Sequence, residues 1–227
     1  MISKIKNETG RTKIWLWIVI GALFLVGVIY WDWAQHAKVE KFVAEAPDIP
    51  GKGLPSKGSP EHEEFEKVRK QFTRFKKNEK VQILATWNSP TFFKALAAAE
   101  REHDVKRHEV LFHEYAERFR VHSDIVFTLV MDSDSFDLFE YSVKENVLLR
   151  NDKGDEAKPL MWSKLTSFSP QHLEGILYFP QRNKAGTLMM GHLTGEHIPG
   201  ERPPIFIELV IQKLQGNQEM VLQWEVP

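Results

Sequence analysis

The chain has no cysteine among its 227 residues. That excludes disulfides, thiolate zinc sites, iron–sulfur clusters and cysteine nucleophiles. Charge of one sign is lacking as well: 30 Lys and Arg stand against 31 Asp and Glu, a formal net charge of −1. No whole-chain field exists to hold nucleic acid, so none is expected as a partner. The catalytic templates G-x-S-x-G, the phosphate-binding P-loop and G-x-G-x-x-G are missing too. An apolar share of 42% with 11% aromatics nonetheless exceeds that of a disordered polymer.

Much of that apolar content is concentrated in one place. Residues 14–31 (IWLWIVIGALFLVGVIYW) run without a charge for 18 residues. At about 1.5 Å per residue this is roughly 27 Å of helix, close to the hydrocarbon thickness of a bilayer. Trp15 and Trp17 at one end and Trp31 and Trp33 at the other form an aromatic belt. Before the run stand Lys4, Lys6, Arg11 and Lys13 against Glu8 alone. This excess predicts a cytoplasmic N-terminus, with the rest of the chain periplasmic or extracellular at the cell (inner) membrane. An uncleaved anchor is preferred to a signal peptide. The run exceeds a signal-peptide core, Ala44-Glu45-Ala46 lies far downstream, and Gln35 breaks a cleavage pattern after Ala37.

The expected organisation is a tail at 1–13, a transmembrane helix at 14–33 and a linker at 34–58 rich in proline and glycine. An amphipathic stalk helix at 59–79 and a domain at 80–227 follow. Ser59-Pro60 supplies a cap and a first-turn proline, and Phe65, Val68, Phe72 and Phe75 share a stripe. Glu63/Lys67 and Glu66/Lys70 are spaced as i,i+4 pairs. The stripe reads either as a stalk packed on the domain or as a face for the bilayer or a partner.

Within the domain, strands are expected at 81–87, 125–131, 136–141, 146–150, 158–162, 174–179, 187–193, 205–211 and 220–226. Turn signals lie between them. Many short strands without alternating helices predict a mainly β protein, an antiparallel β-sandwich. A helical insert at 89–121 interrupts it, opened by Ser89-Pro90. Its aromatic residues Phe112, Tyr115 and Phe119 are candidates for binding a partner.

Metal chemistry has few candidates. His108 and His113 are five apart, about 140° around a helix, so they cannot share a zinc ion. The run Asp132-Ser133-Asp134-Ser135-Phe136-Asp137 gathers three carboxylates in six residues. It is no EF-hand: Phe136 stands at a ligand position, the sixth residue is not glycine, and Val143 occupies the place of the bidentate glutamate. It reads as turn chemistry or as a hard-cation site. His172, and the pair His192 and His197, are further candidate ligands.

Three separated motifs then follow in order: Met131-Asp132-Ser133-Asp134-Ser135-Phe136-Asp137-Leu138, Pro159-Leu160-Met161-Trp162, and residues 171–180 (QHLEGILYFP). Over about 80–227 the chain resembles a poorly characterised family of secreted or membrane-anchored prokaryotic β-sandwich domains. Their pattern is L-D-T-H-S-V-D-L, P-L-x-W and H-H-x-x-G-x-L-x-F-P. The resemblance implies an Ig-like sandwich outside the cytoplasm and a metal site at the histidines of the pattern. Asp134 and Gln171 replace two of those histidines, which leaves Asp134, Asp137 and His172 as the ligand set. No cofactor beyond a weakly held metal ion is expected.

Two functions follow as expectations. One is a non-enzymatic, membrane-anchored domain that binds or braces another membrane or envelope protein. The other is a metal-binding or metal-delivery domain using His172 with Asp134 and Asp137. A hydrolase using exposed carboxylates is a third.

Overall fold

The computed structural model describes residues 58–100, 105–165, 169–190, 204–214 and 218–226. All belong to one unit, Asp48–Pro227. The tail, the membrane run, the linker up to residue 57, His192 and His197 lie outside the described residues. Among the described residues no helix is long and apolar enough to cross a membrane.

Helix α1 (Pro60–Phe72) starts as its sequence dictates. Ser59 Oγ accepts from the His62 N–H at 3.2 Å, and Pro60 takes the first turn. The pairs along it are Glu64–Lys67 and Glu66–Arg69, at i,i+3 instead of the expected i,i+4. The helix also ends earlier than the predicted 59–79. Thr73 turns extended (φ −102°, ψ 135°), and strand β1 (Thr73–Lys77) follows at once. Five cross-strand partners on strand β2 (Val81–Trp87), from Thr73↔Thr86 to Lys77↔Gln82, override the helical spacing of Phe75. The stalk is therefore corrected to one helix and one strand, both built into the domain: Phe65 and Phe72 are buried in its core.

Helices α2 (Pro90–Glu100) and α3 (Val105–Arg118) lie between β2 and strand β3 (Asp124–Ser133). Ser89 Oγ caps α2 by accepting from the Phe92 N–H at 3.1 Å. α3 ends in a Schellman turn, with Val121 N–H on Ala116 O and Arg120 N–H on Glu117 O, both at 3.1 Å. Arg120 takes the left-handed position (φ 56°) where glycine is usual. Phe65–Phe92 and Phe72–Trp87 ring contacts at 5.7 and 5.2 Å join the helices to each other and to the end of β2.

The chain continues through α4 (Val143–Asn146), β4 (Val147–Asn151), β5 (Glu156–Ala157) and β6 (Met161–Lys164). Strands β7 (His172–Pro180), β8 (Phe206–Leu214) and β9 (Gln218–Glu225) complete it. Two antiparallel sheets result, ordered β1-β2-β3-β7-β6 and β5-β4-β8-β9. They share one hydrophobic core, where the Phe127 and Trp224 rings meet at 5.0 Å between the sheets. The expected mainly β, sandwich-like architecture is thus present. Central β3 is buried on both faces, which is why it reads as a nearly continuous apolar run.

Three strand expectations need correction. Residues 136–141 form a loop, because Ser133 Oγ accepts from the Phe136 N–H at 2.8 Å and Asp137 Oδ1 from the Phe139 N–H at 2.8 Å. Leu138 and Tyr141 nevertheless plug the core, so apolar content there reports anchoring and not a strand. The strand expected at 158–162 begins only at Met161, since Pro159 has no N–H for a ladder. Residues 187–190 carry a single bridge, Arg182↔Leu188, after a turn at Gly186 (φ 82°). The turn at 151–154 forms as expected: Asn151 Oδ1 accepts from Lys153 and Asp155, and Gly154 supplies φ 81°.

Candidate functional site

Adjacent strands β3 and β7 bring three charged side chains together. Their register sets Asp132 opposite His172, and the period of two puts Glu174 on the same face as His172. His172 Nδ1 lies 2.8 Å from Asp132 Oδ1, and its Nε2 lies 3.3 Å from Glu174 Oε2. The Asp132 and His172 side chains are 33% and 29% exposed, but that of Glu174 only 5%, so the group is open on one side. Glu174 Oε1 is buried without a hydrogen-bond partner. The hydrogen bond to Asp132, then that to Glu174, raise the His172 pKa to about 9, against burial, which lowers it. The imidazole is a cation at neutral pH, held between two carboxylates.

The predicted ligand set is only partly assembled. His172 is in this group, while Asp134 and Asp137 are exposed on the adjoining loop. Asp137 Oδ1 holds the Phe139 N–H, and the Asp134 backbone N–H donates to Lys80 O at 3.0 Å. Leu138 N–H to Pro170 O at 2.7 Å and Ser133 N–H to Gln171 O at 2.9 Å tie that loop to the start of β7. Among the described residues no three His, Asp or Glu side chains are placed to share one metal ion. Sequence reasoning passed over Glu174, and it counted Asp132 among the carboxylates of the 132–137 run but left it out of the ligand set with His172. The pattern His172-x-Glu174 on a strand was the available signal, but the partner across the ladder is set by register.

No family model matches the chain. No curated protein matches it either. Among solved structures it is similar to a DUF4426 family protein from Pseudomonas aeruginosa PAO1, at a TM-score of 0.30 and 7% identity. That likeness covers 68% of this chain and 92% of the other. A likeness this low carries no argument about fold or function.

The aromatic candidates of the insert face inward to different degrees. Phe119 is 4% exposed and stacks on Phe93 at 5.0 Å. Tyr115 stacks on Phe93 at 5.4 Å and donates its hydroxyl to Glu100 Oε2 at 2.7 Å, tying α3 to α2. Phe112 is half-buried between the His113 and His122 rings, 5.6 and 6.2 Å away.

Exposed apolar side chains include Val110 of α3, at 58%, and several at edge strand β6. Leu160 is 51% and Met161 39% exposed, and Phe139 at 48% lies under Lys164 Nζ, 4.4 Å from its ring centroid. The opposite edge of the same sheet is guarded. From β1, Arg74 Nε donates to Gln223 O at 2.8 Å and Lys76 Nζ to Val221 O at 3.3 Å, both on β9.

Proposed function

We propose that the chain is a non-enzymatic, membrane-anchored protein whose Ig-like sandwich, outside the cytoplasm, binds or braces another membrane or envelope protein. Residues 14–31 support the anchor by length, belt and flanking charge. The Ig-like reading rests on two antiparallel sheets facing across one core, with the chain passing between them at β3–β4, β5–β6 and β7–β8.

The observation that carries the binding role is the asymmetry of the edges. One is closed by Arg74 and Lys76, whereas β6 leaves Met161, Ser163 and Lys164 exposed beside Leu160 and Phe139. An exposed edge flanked by apolar side chains suits strand addition by a partner. On this reading Phe112 and Tyr115, both half-buried, contribute at most a secondary contact.

The test is native electrophoresis of solubilised membranes, with protease accessibility to fix the topology. Wild type is expected in a larger complex with its domain digested only from the extracytoplasmic side. Leu160→Asp with Met161→Asp is expected to release the monomer. A wild-type chain that migrates alone, or a domain digested from the cytoplasmic side, overturns the reading.

A further inference from the structure

We propose that residues 48–57 are a strap that packs over the outer face of the five-stranded sheet, on Leu84, Val130 and Glu174. One row of side chains carries this. Register places Phe75 beside Leu84, Leu84 beside Val130 and Val130 beside Glu174, across β1, β2, β3 and β7. Phe127 of β3 meets Trp224 of the other sheet, so by the period of two Val130 and its row point away from the shared core. Leu84 and Val130 lie outside that core. Strands about 4.8 Å apart shield the flanks of neighbouring side chains but not their tips, so a bare face leaves such residues partly exposed. Yet Leu84 is 4%, Val130 1% and Glu174 3% exposed, and only Phe75, at the rim, reaches 39%. Something covers this row.

The described helices are not placed to do so. α2 and α3 leave and rejoin the sheet at the far end of these strands, after Trp87 and before Asp124, and α2 packs mainly on α1 and α3. Residues 101–104 and 166–168 are tight connections, within the insert and between β6 and β7, too short to cross the sheet and return. The residues flanking 191–203 and 215–217 stand by the other sheet, where Asn151 Nδ2 donates to Leu188 O at 3.5 Å and β8 pairs with β9. Residues 48–57 remain, and they belong to the domain's compact unit, which begins at Asp48. Extended, they span roughly 33 Å, enough to pass from Gly58 along α1, about 20 Å long, to the row beside its end. Their composition fits the face. Ile49 and Leu54 supply apolar side chains for Leu84 and Val130, and Gly51 and Gly53 let the main chain approach closely. Glu174 Oε1, buried without a hydrogen-bond partner, calls for a donor from above, which Lys52 or a main-chain N–H supplies.

The strap goes beyond the bracing role and does not depend on it. It makes the second half of the expected linker part of the fold and leaves 34–47 as the free tether. The test uses the full-length chain in detergent, whose lack of cysteine lets each introduced thiol report alone. Val130→Cys is expected to react with a polar maleimide at least tenfold more slowly than Phe75→Cys. Adding Ile49→Asp and Leu54→Asp is expected to speed labelling of Val130→Cys at least tenfold, with circular dichroism checking that the domain stays folded. With a short bismaleimide, Ile49→Cys or Leu54→Cys is expected to cross-link to Phe75→Cys within one chain, and neither to Glu156→Cys on the other sheet. Unchanged labelling of Val130→Cys in the folded double-aspartate variant overturns the inference. So does cross-linking to Glu156→Cys in preference to Phe75→Cys, which decides the matter alone if the aspartates unfold the domain.

Discussion

The Arg74 guanidinium donates from Nε to the Gln223 carbonyl at 2.8 Å, joining the first strand of one sheet to the last strand of the other. Its Nη1 reaches the Gln71 and Thr73 carbonyls at 2.7 and 3.0 Å, where helix α1 ends and its carbonyls lack helical partners. The same group lies 5.9 Å from the Trp224 ring, whose Nε1 donates to Phe72 O at 2.7 Å. One side chain thus caps a helix and closes a sheet edge. Arg74→Ala is expected to destabilise the domain by about 1–2 kcal/mol in chemical denaturation, and Arg74→Lys to recover little, because an ammonium lacks the fork. Full recovery with lysine would sink this account.

Arg120 is expected to be worth more than the glycine its backbone favours. A glycine at φ 56° removes strain of about 1 kcal/mol. Arg120 Nη2, however, lies 3.1 Å from Oδ2 of Asp124, which is 4% exposed. That oxygen accepts no hydrogen bond of good angle, so the charge of Arg120 is what compensates it. Burial already raises the Asp124 pKa, and Arg120 lowers it. Arg120→Gly alone should therefore lower the melting temperature. Combined with Asp124→Asn, the glycine should be neutral or stabilising. A stabilised single variant would refute the pairing.

What the sequence disclosed and what it hid follow from range. Ser59-Pro60, Ser89-Pro90 and the turn at Asn151 are local, decided within four residues, and the structure forms all three. β1 was hidden because Phe75 fits a helical stripe as well as a strand, and only its pairing with Leu84 decides between them. The loop at 136–141 was hidden because Leu138 and Tyr141 are core residues without strand geometry. His172 stood out as a titratable residue. Glu174 follows from the period of two along the same strand, whereas Asp132 becomes visible only once the β3–β7 register is known.

The His172 cluster should make stability fall on the alkaline side. Its pKa is raised to about 9 from an ordinary 6.5. The stabilising protonated form is then fully counted below pH 6.5, fades above it, and is lost as pH rises through about 9. After solvent screening, the contribution is on the order of 2 kcal/mol. With a chelator present to remove metal ions, urea unfolding of wild type and His172→Gln should differ most near pH 6. The two should converge by pH 10. A difference that stays constant across that range would show that the ring contributes only packing.

Gly175 is expected to tolerate no side chain, because the Trp162 indole of β6 lies on it. A Cβ there would stand 2.5 Å from the indole Cη2 and 2.7 Å from Cζ2, and would also meet the Ser163 carbonyl oxygen. Gly175→Ala should therefore cost about 1–3 kcal/mol by forcing the indole or strand β6 outward. Because the obstruction is part side chain and part backbone, Trp162→Ala should relieve only a fraction of that cost in a double-mutant cycle. Gly175→Ala should also loosen the β6 edge and, on the proposed bracing role, weaken association more than the stability loss alone accounts for. Hydrogen exchange across Met161–Lys164 separates the cases. Faster exchange confined to β6 supports the indole contact as its anchor, and unchanged exchange there refutes it.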